Sequence, residues 1–406
     1  MPVLLNIGLL ATCRDEGAQD AIHAIPQAAL AWRGTEIAWV GPEAALPDDY
    51  RVDERLNAEG RLVVPGLIDC HTHLAFAGSR VDEIEARMRG RTYHEIAAAG
   101  GGIARTVAAT RAASRSALVE ACSKRLAEMA RLGVTTVEAK TGYGLDVDSE
   151  MRLLEVYQTL QRTQPVRLVP TLLAAHVVPE EHRRHRERYL DIVCRELIPA
   201  AAAGALARFC DVFVEDSAFM PDEARTILGC AREHGLGAKL HVDQFGDGGG
   251  AALAAELHAA SADHLECVSS EGIARLAASG TIAVTLPIAA LYTYRPAAPA
   301  RDLIAAGVPV AVATDFNPGT APSFHLPLAM LLAATMQRMT PAEVLKGVTI
   351  CAARAIGEGS RVGSLEPGKR ADFAIIDAPD VNHWVYHFTP NACVATYAAG
   401  TQVSAS

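Results

Sequence analysis

Short apolar runs alternate with longer amphipathic segments through the central part of the chain. Eight of these runs have the length and composition of buried strands, and segments with helical spacing lie between or after them. The runs are LVVPGLID, VTTVEA, VRLVPTLLA, CDVFVE, GAKLHV, SADHL, TIAVTL and VPVAVAT. Alternating strands and helices predict a parallel sheet, and eight such units predict an α/β fold closed into a (β/α)8 TIM-like barrel. The alternative, an open doubly wound sheet, needs fewer strands and usually a G-x-G-x-x-G turn, which this sequence lacks.

Strand-like runs separated by turn signals also fill both ends of the chain. VLLNIGLLAT, EIAWVG and RLVVPG precede the barrel region, and VGSLEPGKRADFAIID and ACVATYAAGTQV follow it. Because chain termini often lie close together, we expect the two ends to pair into one small β-sandwich. The predicted domains are residues 1–64 and 361–406 for the sandwich and residues 65–360 for the barrel, which suits a chain of 406 residues.

Polar side chains cluster where the predicted barrel strands end, which is where barrel enzymes carry their active sites. These strand-end residues are Asp69, His71 and His73 on the first strand, His176 on the third, Glu215 on the fourth, His241 with Asp243 and Gln244 on the fifth, His264 on the sixth and Asp315 on the eighth. Five of the 14 histidines therefore lie at four strand ends. A random scatter rarely gives this distribution.

The histidines predict a metal site. Residues i and i+2 of a strand project to the same face, so His71 and His73 can both face the barrel mouth. Adding His241 and Asp315 gives three imidazoles and one carboxylate, a ligand set suited to one Zn²⁺ per chain. Iron, as Fe²⁺ or Fe³⁺, is the alternative, because such sites discriminate weakly among first-row metals. A bound ion would lower the pKa of a coordinated water to about 7. An isolated H-x-H pair is more often structural, and Asp69 is expected to act as a supporting carboxylate.

Charge and cysteine content exclude other classes of function. The net charge is −10, and no Lys/Arg cluster has the character of a nucleic-acid footprint. Nine cysteines without a C-x-x-C pair indicate a reducing compartment rather than a disulfide framework. The N-terminal apolar run lacks a basic leader and is too short to span a membrane. We therefore predict a cytoplasmic protein that acts on a small molecule, with no nucleic-acid or membrane partner.

Several segments together resemble the amidohydrolase superfamily, metal-dependent hydrolases with a barrel and a small β-sandwich built from both termini. VVPGLIDCHTH closes a short β segment, a histidine ends a later strand and ATD ends the eighth strand. Within the superfamily, the resemblance is to the imidazolonepropionase family, through HTHLAFAGSR, GGGIARTVAATR, TGYGLD, AAHVVP, FCDVFVE, KLHVDQ, SADHLE and ATDFNPGTAP. It spans nearly the whole chain. It implies hydrolytic ring opening of 4-imidazolone-5-propanoate to N-formimino-L-glutamate, in histidine degradation, by a metal-bound hydroxide.

The resemblance also implies roles for individual residues. It assigns the metal to His71, His73, His241 and Asp315, and the position beside the metal-bound water to His264. It assigns substrate contacts to Arg80, Tyr143, His176, Gln244, Asn317, Gly319 and Thr320. Arg80 suits a bidentate pair with the propanoate tail. The predicted catalytic residues are His241, His264 and Asp315, and either of the last two can move the proton to the leaving nitrogen.

Other activities within the superfamily remain as alternatives. Purine and pyrimidine deaminases carry Glu where Gln244 stands, and an amide has no titratable proton near pH 7, so Gln244 favours ring opening. Thr141, Ala174 and Ile288 depart from the imidazolonepropionase pattern, which leaves a differently substituted, hydantoin-like cyclic amide as a second alternative. A non-catalytic barrel is disfavoured by the intact ligand set. We expect a homodimer, and the glycines of segment 76–102 would permit that loop to close over the substrate.

Overall fold

The computed structural model describes residues 1–50, 54–91, 95–96 and 99–405. Within these residues the strands form two sheets of eight. The strands, numbered in chain order, are β1 Val3–Ala11, β2 Ala24–Arg33, β3 Glu36–Pro42, β4 Arg55–Asn57, β5 Leu62–Pro65, β6 Leu67–Thr72, β7 Val134–Lys140, β8 Arg167–Ala175, β9 Phe209–Val214, β10 Gly237–Val242, β11 Ser261–His264, β12 Ile282–Thr285, β13 Val310–Val312, β14 Phe373–Ile376, β15 Cys393–Ala398 and β16 Thr401–Ala405.

Strands β6 to β13 form the predicted barrel. Each pairs in parallel with the next along the chain, from β6–β7 through to β12–β13. The barrel closes just beyond the strand ends, where the amide of His73 donates to the carbonyl of Phe316 at 2.8 Å and the amide of Asp315 donates to the carbonyl of His71 at 3.1 Å. The eight-strand prediction is confirmed, and the open-sheet alternative is wrong. The closing contacts also bring two predicted metal-binding segments together.

The first predicted barrel run is divided between the two sheets. Its beginning, β5, pairs with β14 in the terminal sheet, whereas β6 enters the barrel. Gly66 lies between them and passes so close to β7 that a Cβ there would lie 2.3 Å from the Thr135 hydroxyl oxygen. The sequence does not reveal this change of sheet, because both halves of the run are apolar and buried.

Helices surround the barrel, and their apolar faces pack on its strands. The long helix Arg115–Arg131 begins at Ser114, whose hydroxyl accepts the Ala117 amide at 3.2 Å, and it buries Leu118 and Leu126. The helices are Glu83–Met88, Ile103–Ala112, Arg115–Arg131, Val147–Thr163, Arg186–Ile192, Ile198–Ala203, Pro221–Glu233, Gly250–Glu256, Ser270–Ser279, Pro287–Thr293, Ala300–Ala305, Leu326–Met336, Pro341–Gly347, Ile350–Ala355 and Val381–Tyr386, with a π-helical turn Val193–Leu197 and 3₁₀ turns Glu43–Ala45, Asp48–Tyr50 and Glu180–His182.

The terminal strands form the second sheet, in the order β16-β15-β14-β5-β1-β2-β3, with β4 on β1. This sheet curls over its own core. The Trp32 ring of β2 lies 5.2 Å from the Phe373 ring of β14, and the Trp32 indole donates to the Gly400 carbonyl at 3.0 Å. The predicted pairing of the two chain ends is thus confirmed. In the described part of the chain, every helix is too short or too polar to cross a lipid bilayer.

Candidate metal centre

Three imidazoles and one carboxylate converge at the carboxyl end of the barrel strands. The Nε2 atoms of His71 and His73 lie 3.3 and 3.4 Å from the Asp315 Oδ1 atom. The Nε2 atom of His241 lies 3.5 Å from that of His73. All four side chains are buried, with at most 2% exposed. The residues predicted to bind metal from the sequence therefore lie together in space.

Two buried carboxylates orient two of these imidazoles. Asp263 Oδ2 accepts the Nδ1–H of His71 at 2.6 Å, and Asp211 Oδ1 accepts that of His241 at 3.0 Å. A histidine that donates through Nδ1 carries its free lone pair on Nε2, the atom that faces the centre. Neither Asp211 nor Asp263 was among the predicted site residues, although each is a charged residue inside an apolar strand run. That combination is the signal that could have identified them.

Three strand-end residues have strained backbones. Asp243, His264 and Asp315 have φ angles of 52°, 84° and 56°, in the left-handed region that non-glycine residues seldom adopt. Such strain persists where the surrounding structure fixes it, and it concentrates at functional sites. The turn before Asp315 is fixed by Asp69, which accepts the Thr314 amide at 3.1 Å and its hydroxyl at 2.6 Å. Burial raises the pKa of Asp69 to about 7.

His264 and His176 lie on either side of the imidazole group. His264 has a ligand atom within 4.8 Å of ligand atoms of His71 and His241, and its Nδ1 lies 3.5 Å from Glu266 Oε1. His176 stacks on His73 with ring centroids 5.0 Å apart, and its Nδ1 lies 3.0 Å from the Gly142 carbonyl oxygen. Burial lowers the pKa of His176 to about 3, so its ring is neutral.

Tyr143 is held against this group by the loop after β7. Its ring centroid lies 5.7 Å from that of His73 and 5.4 Å from that of His176. The loop is fixed by Glu150, whose carboxylate accepts the amides of Gly142, Gly144 and Leu145 at 2.7–3.1 Å. The sequence prediction missed Glu150, because nothing in a helix beginning DVDSE shows that one carboxylate turns back to the preceding loop.

Arg80 forms a second polar group with the loop after Asp315. Its Nε and Nη2 atoms donate to the Glu83 carboxylate at 2.9–3.0 Å. Its Nη1 side lies against Gly319, where a Cβ would be 2.2 Å from Nη1. The predicted carboxylate-binding side chain therefore has one edge occupied by an internal carboxylate, and its Nη1 atom makes no hydrogen bond among the described residues.

Asn317 links this group to the imidazoles. Its side-chain carbonyl accepts the amides of Gly319 and Thr320 at 2.8 and 2.7 Å, and its Nδ2 donates to Asp315 Oδ2 at 3.0 Å. The Asn317 side chain therefore joins two predicted substrate-binding residues, Gly319 and Thr320, to the predicted metal ligand Asp315. The backbone N–H of Gln244 donates to Glu215 Oε1 at 2.7 Å.

The three positions that depart from the family pattern are buried. The Thr141 hydroxyl accepts the Leu173 amide at 2.9 Å and so joins β7 to β8. Ala174 is buried beside it, and Ile288 is buried in the helix Pro287–Thr293. The predicted loop 76–102 contains the helix Glu83–Met88, and its residues 92–94 and 97–98 lie outside the described residues.

The charges around the imidazoles fit a divalent cation. Glu138, Asp211, Asp263 and Asp315 are buried, and among the described residues the ammonium groups in contact with these carboxylates are those of Lys140 and Lys239. Buried charges are costly unless they are compensated. The Nε2 atom of His71 is buried and makes no hydrogen bond among the described residues. Burial, followed by the charges of His71 and Lys140, lowers the pKa of His241, which favours the neutral form that binds metals. The three imidazoles, the carboxylate and the unpartnered Nε2 atom therefore fit a divalent metal ion.

Comparisons with known proteins agree with this geometry. The sequence model of the amidohydrolase family matches residues 62–403. An imidazolonepropionase of Geobacillus thermodenitrificans is 49% identical over 363 residues, which cover 88% of this chain and 85% of that protein. An imidazolonepropionase of Deinococcus radiodurans is 46% identical over 386 residues, covering 95% and 94%.

Solved structures share the fold at low sequence identity. A 5-methylcytosine deaminase of Klebsiella pneumoniae with bound 5-fluorocytosine superimposes with a TM-score of 0.75 at 18% identity, covering 100% of this chain and 97% of that one. An adenosine deaminase of Xanthomonas campestris with bound zinc gives a TM-score of 0.71 at 17% identity, covering 99% and 92%. Identities this low show the fold alone. By its sequence match and its full-length relatives, the chain belongs to the amidohydrolase family and, within it, to the imidazolonepropionases.

Proposed function

We propose that this protein hydrolyses the ring of 4-imidazolone-5-propanoate to give N-formimino-L-glutamate, a step of histidine degradation. The observation that carries the proposal is the convergence of His71, His73, His241 and Asp315 in a chain that is 44–49% identical to proteins named imidazolonepropionase. A cyclic amide needs an activated water and a stabilised oxyanion for hydrolysis. A buried divalent-cation site beside a guanidinium suits a ring substrate with a carboxylate tail.

The metal ligands in this proposal are His71, His73, His241 and Asp315, with one Zn²⁺ per chain and iron as the alternative ion. When bound, such an ion supplies a water of lowered pKa and polarises the ring carbonyl. Zinc is preferred because three imidazoles and one carboxylate match its usual ligands. Metal analysis of the protein purified without added metal would distinguish zinc from iron.

Substrate orientation is assigned to the residues that surround the imidazoles. The Nη1 and Nη2 atoms of Arg80 would pair with the propanoate carboxylate, a bidentate arrangement of two charge-assisted hydrogen bonds. Tyr143, His176 and Gln244 would orient the ring. Asn317 would hold Gly319 and Thr320 against the tail, because it accepts both of their amides.

Proton transfer is assigned to Asp315 and His264. Asp315 would take the proton released by the attacking water, and His264 would deliver a proton to the leaving ring nitrogen. Both side chains lie beside the ligand atom of His71. His241 would complete the predicted catalytic set as a ligand of the ion.

The turnover assay separates this proposal from its alternatives. Freshly prepared 4-imidazolone-5-propanoate should lose its absorbance when the enzyme is added, whereas guanine and hydantoin should remain unchanged. The neighbouring deaminase activity is disfavoured, because the amide of Gln244 cannot transfer a proton to departing ammonia. Activity on guanine or hydantoin with none on the imidazolone would overturn the proposal.

We also propose a cytoplasmic homodimer with the barrel in residues 65–360 and the small β domain in residues 1–64 and 361–406. Closed two-fold dimers are the commonest assemblies of soluble enzymes. The net charge of −10 supports the absence of a nucleic-acid partner. Light scattering of the purified protein would test the dimer directly.

A further inference from the structure

A cluster of five charged residues lies beneath the metal centre, inside the barrel. This buried charge cluster consists of Glu138 and Lys140 on β7, Asp211 on β9, Lys239 on β10 and Asp263 on β11, and all five are fully buried. The Lys140 ammonium lies 2.6 Å from Asp211 Oδ2, 2.9 Å from Glu138 Oε1 and 3.6 Å from Asp263 Oδ2. One cation therefore contacts carboxylates from three other positions of the barrel.

Two of these carboxylates are the ones that orient metal-binding imidazoles. Asp211 uses Oδ2 for Lys140 and Oδ1 for the Nδ1 atom of His241. Asp263 uses Oδ2 for His71, and the Lys140 ammonium lies 3.6 Å from the same oxygen. Lys140 is thus joined through one carboxylate to each of two predicted ligands, which come from strands β6 and β10.

Lys239 offers a comparison within the same cluster. It is as buried as Lys140, but its Nζ donates to the Ser261 hydroxyl at 2.6 Å and to the Ala355 carbonyl at 3.3 Å. Its nearest carboxylate contact is Asp263 Oδ2 at 3.7 Å, and it has no contact with Asp211 among the described residues. Lys239 therefore reaches Asp263 at nearly the same distance as Lys140, and the two lysines differ in the contact with Asp211, which Lys140 alone makes among the described residues.

We propose that Lys140 is a positioning residue of the metal centre. It fixes Asp211 in the position from which this carboxylate directs the Nε2 atom of His241 towards the predicted metal site, and it shares with Lys239 the contact with Asp263, the carboxylate that orients His71. Groups that orient metal ligands commonly change metal affinity by about 10- to 100-fold when they are removed. The inference rests on the metal dependence proposed above and adds to it a residue that touches neither ion nor substrate.

The test compares Lys140→Met, Glu138→Gln/Lys140→Met and Lys239→Met with the unmodified protein. The double variant also removes the charge of Glu138, one of the three carboxylates that Lys140→Met would leave uncompensated, so the barrel keeps fewer unpaired buried charges. Metal-free proteins are titrated with zinc against a chelator of known affinity, and the absorption spectrum of each cobalt-loaded protein reports the ligand geometry. Melting temperatures of the metal-free proteins measure the structural contribution separately.

Both Lys140 variants should bind zinc about 10- to 100-fold more weakly and show an altered cobalt spectrum. Lys239→Met should lower the melting temperature but keep zinc affinity within about threefold and the cobalt spectrum unchanged. Equal losses of zinc affinity in the Lys140 and Lys239 variants would overturn the proposal. Loss of the fold in both Lys140 variants, with Lys239→Met still folded, would assign Lys140 to the scaffold and also overturn it. If the unmodified protein bound no zinc or iron, the proposed function itself would fail first.

Discussion

The Glu83 carboxylate holds the Arg80 guanidinium through Nε and Nη2, at 2.9–3.0 Å. Glu83 is fixed in turn by the Gly102 amide at 2.8 Å and by Arg87 Nη2 at 3.1 Å. The same Arg87 donates through Nη1 to the Gly319 carbonyl at 2.7 Å. These contacts connect the loop after the first barrel strand to the loop after the eighth, and they leave the Nη1 atom of Arg80 without a hydrogen bond among the described residues.

The first prediction concerns the guanidinium of Arg80. Arg80→Ala should reduce kcat/KM for 4-imidazolone-5-propanoate by an amount equal to about 2–5 kcal/mol, mainly through KM, because truncating one member of a desolvated charge pair costs this much. Zinc affinity should stay unchanged. Arg105→Ala is the matched control, since Arg105 is an exposed arginine of the same region paired with Asp82. An unchanged KM in Arg80→Ala would show that the tail binds elsewhere.

The second prediction concerns the space beside Arg80. Gly319→Ala would place a Cβ 2.2 Å from Arg80 Nη1, and Glu83 prevents the guanidinium from moving away freely. We expect KM to rise by about tenfold or more, since overpacking of this kind costs about 1–3 kcal/mol. Gly229→Ala is the control, because nothing lies within 4 Å of a Cβ at Gly229. Equal KM values for the two variants would contradict the assigned position of the tail.

The third prediction is a pH dependence of stability. Burial opposes ionisation of Glu83, but Arg80, the Gly102 amide and Arg87 together lower its pKa below the ordinary value of 4.5. A carboxyl whose pKa is lowered by folding adds stability above its unfolded pKa and loses it as the pH falls through its folded pKa. Glu83→Gln should therefore destabilise the metal-free protein by about 1–3 kcal/mol at pH 7.

The difference between the two proteins should shrink as the pH falls below 4.5, where Glu83 of the unmodified protein takes up a proton. Urea unfolding of metal-free samples at several pH values measures this difference without a contribution from the metal. A difference that stays constant from pH 7 to about pH 3 would mean that the charge of Glu83 does not stabilise the fold.

Much of the fold was predictable from the sequence, because barrel strands carry a strong pattern. Seven of the eight apolar runs form barrel strands, and the second half of LVVPGLID begins the remaining one. The histidines at the strand ends lie close together because parallel strands share one carboxyl edge. The closeness of the four predicted metal ligands could be predicted from the strand order and the two-residue period of H-x-H. The division of LVVPGLID between two sheets was not predictable, since burial on both sides of Gly66 leaves no change in hydropathy.

The residues that support the site could not be predicted, because their contacts join positions that are far apart in the chain. Asp211 and Asp263 lie 30 and 192 positions from the histidines they orient, so no local pattern pairs them. The position of these aspartates inside apolar strands indicated that they are buried, but it did not indicate which histidine each one contacts. The ion pair between Arg80 and Glu83 was easier to anticipate, because residues three positions apart can share a helical turn. The sequence alone did not show that Arg80 reaches towards the helix that begins at Glu83.

The last prediction concerns metal removal. Chelation should abolish turnover and lower the melting temperature, because an ion that binds only the folded state adds about 2.7 kcal/mol when present at 100 times its dissociation constant. His73→Ala should have low activity even before chelation, and chelator should no longer change its melting temperature. His185→Ala is the control, since His185 is exposed and paired with Glu187 on the surface, and it should respond to chelator as the unmodified protein does. Addition of zinc to the stripped protein should restore turnover and melting temperature together, and recovery of one without the other would separate the structural ion from the catalytic one.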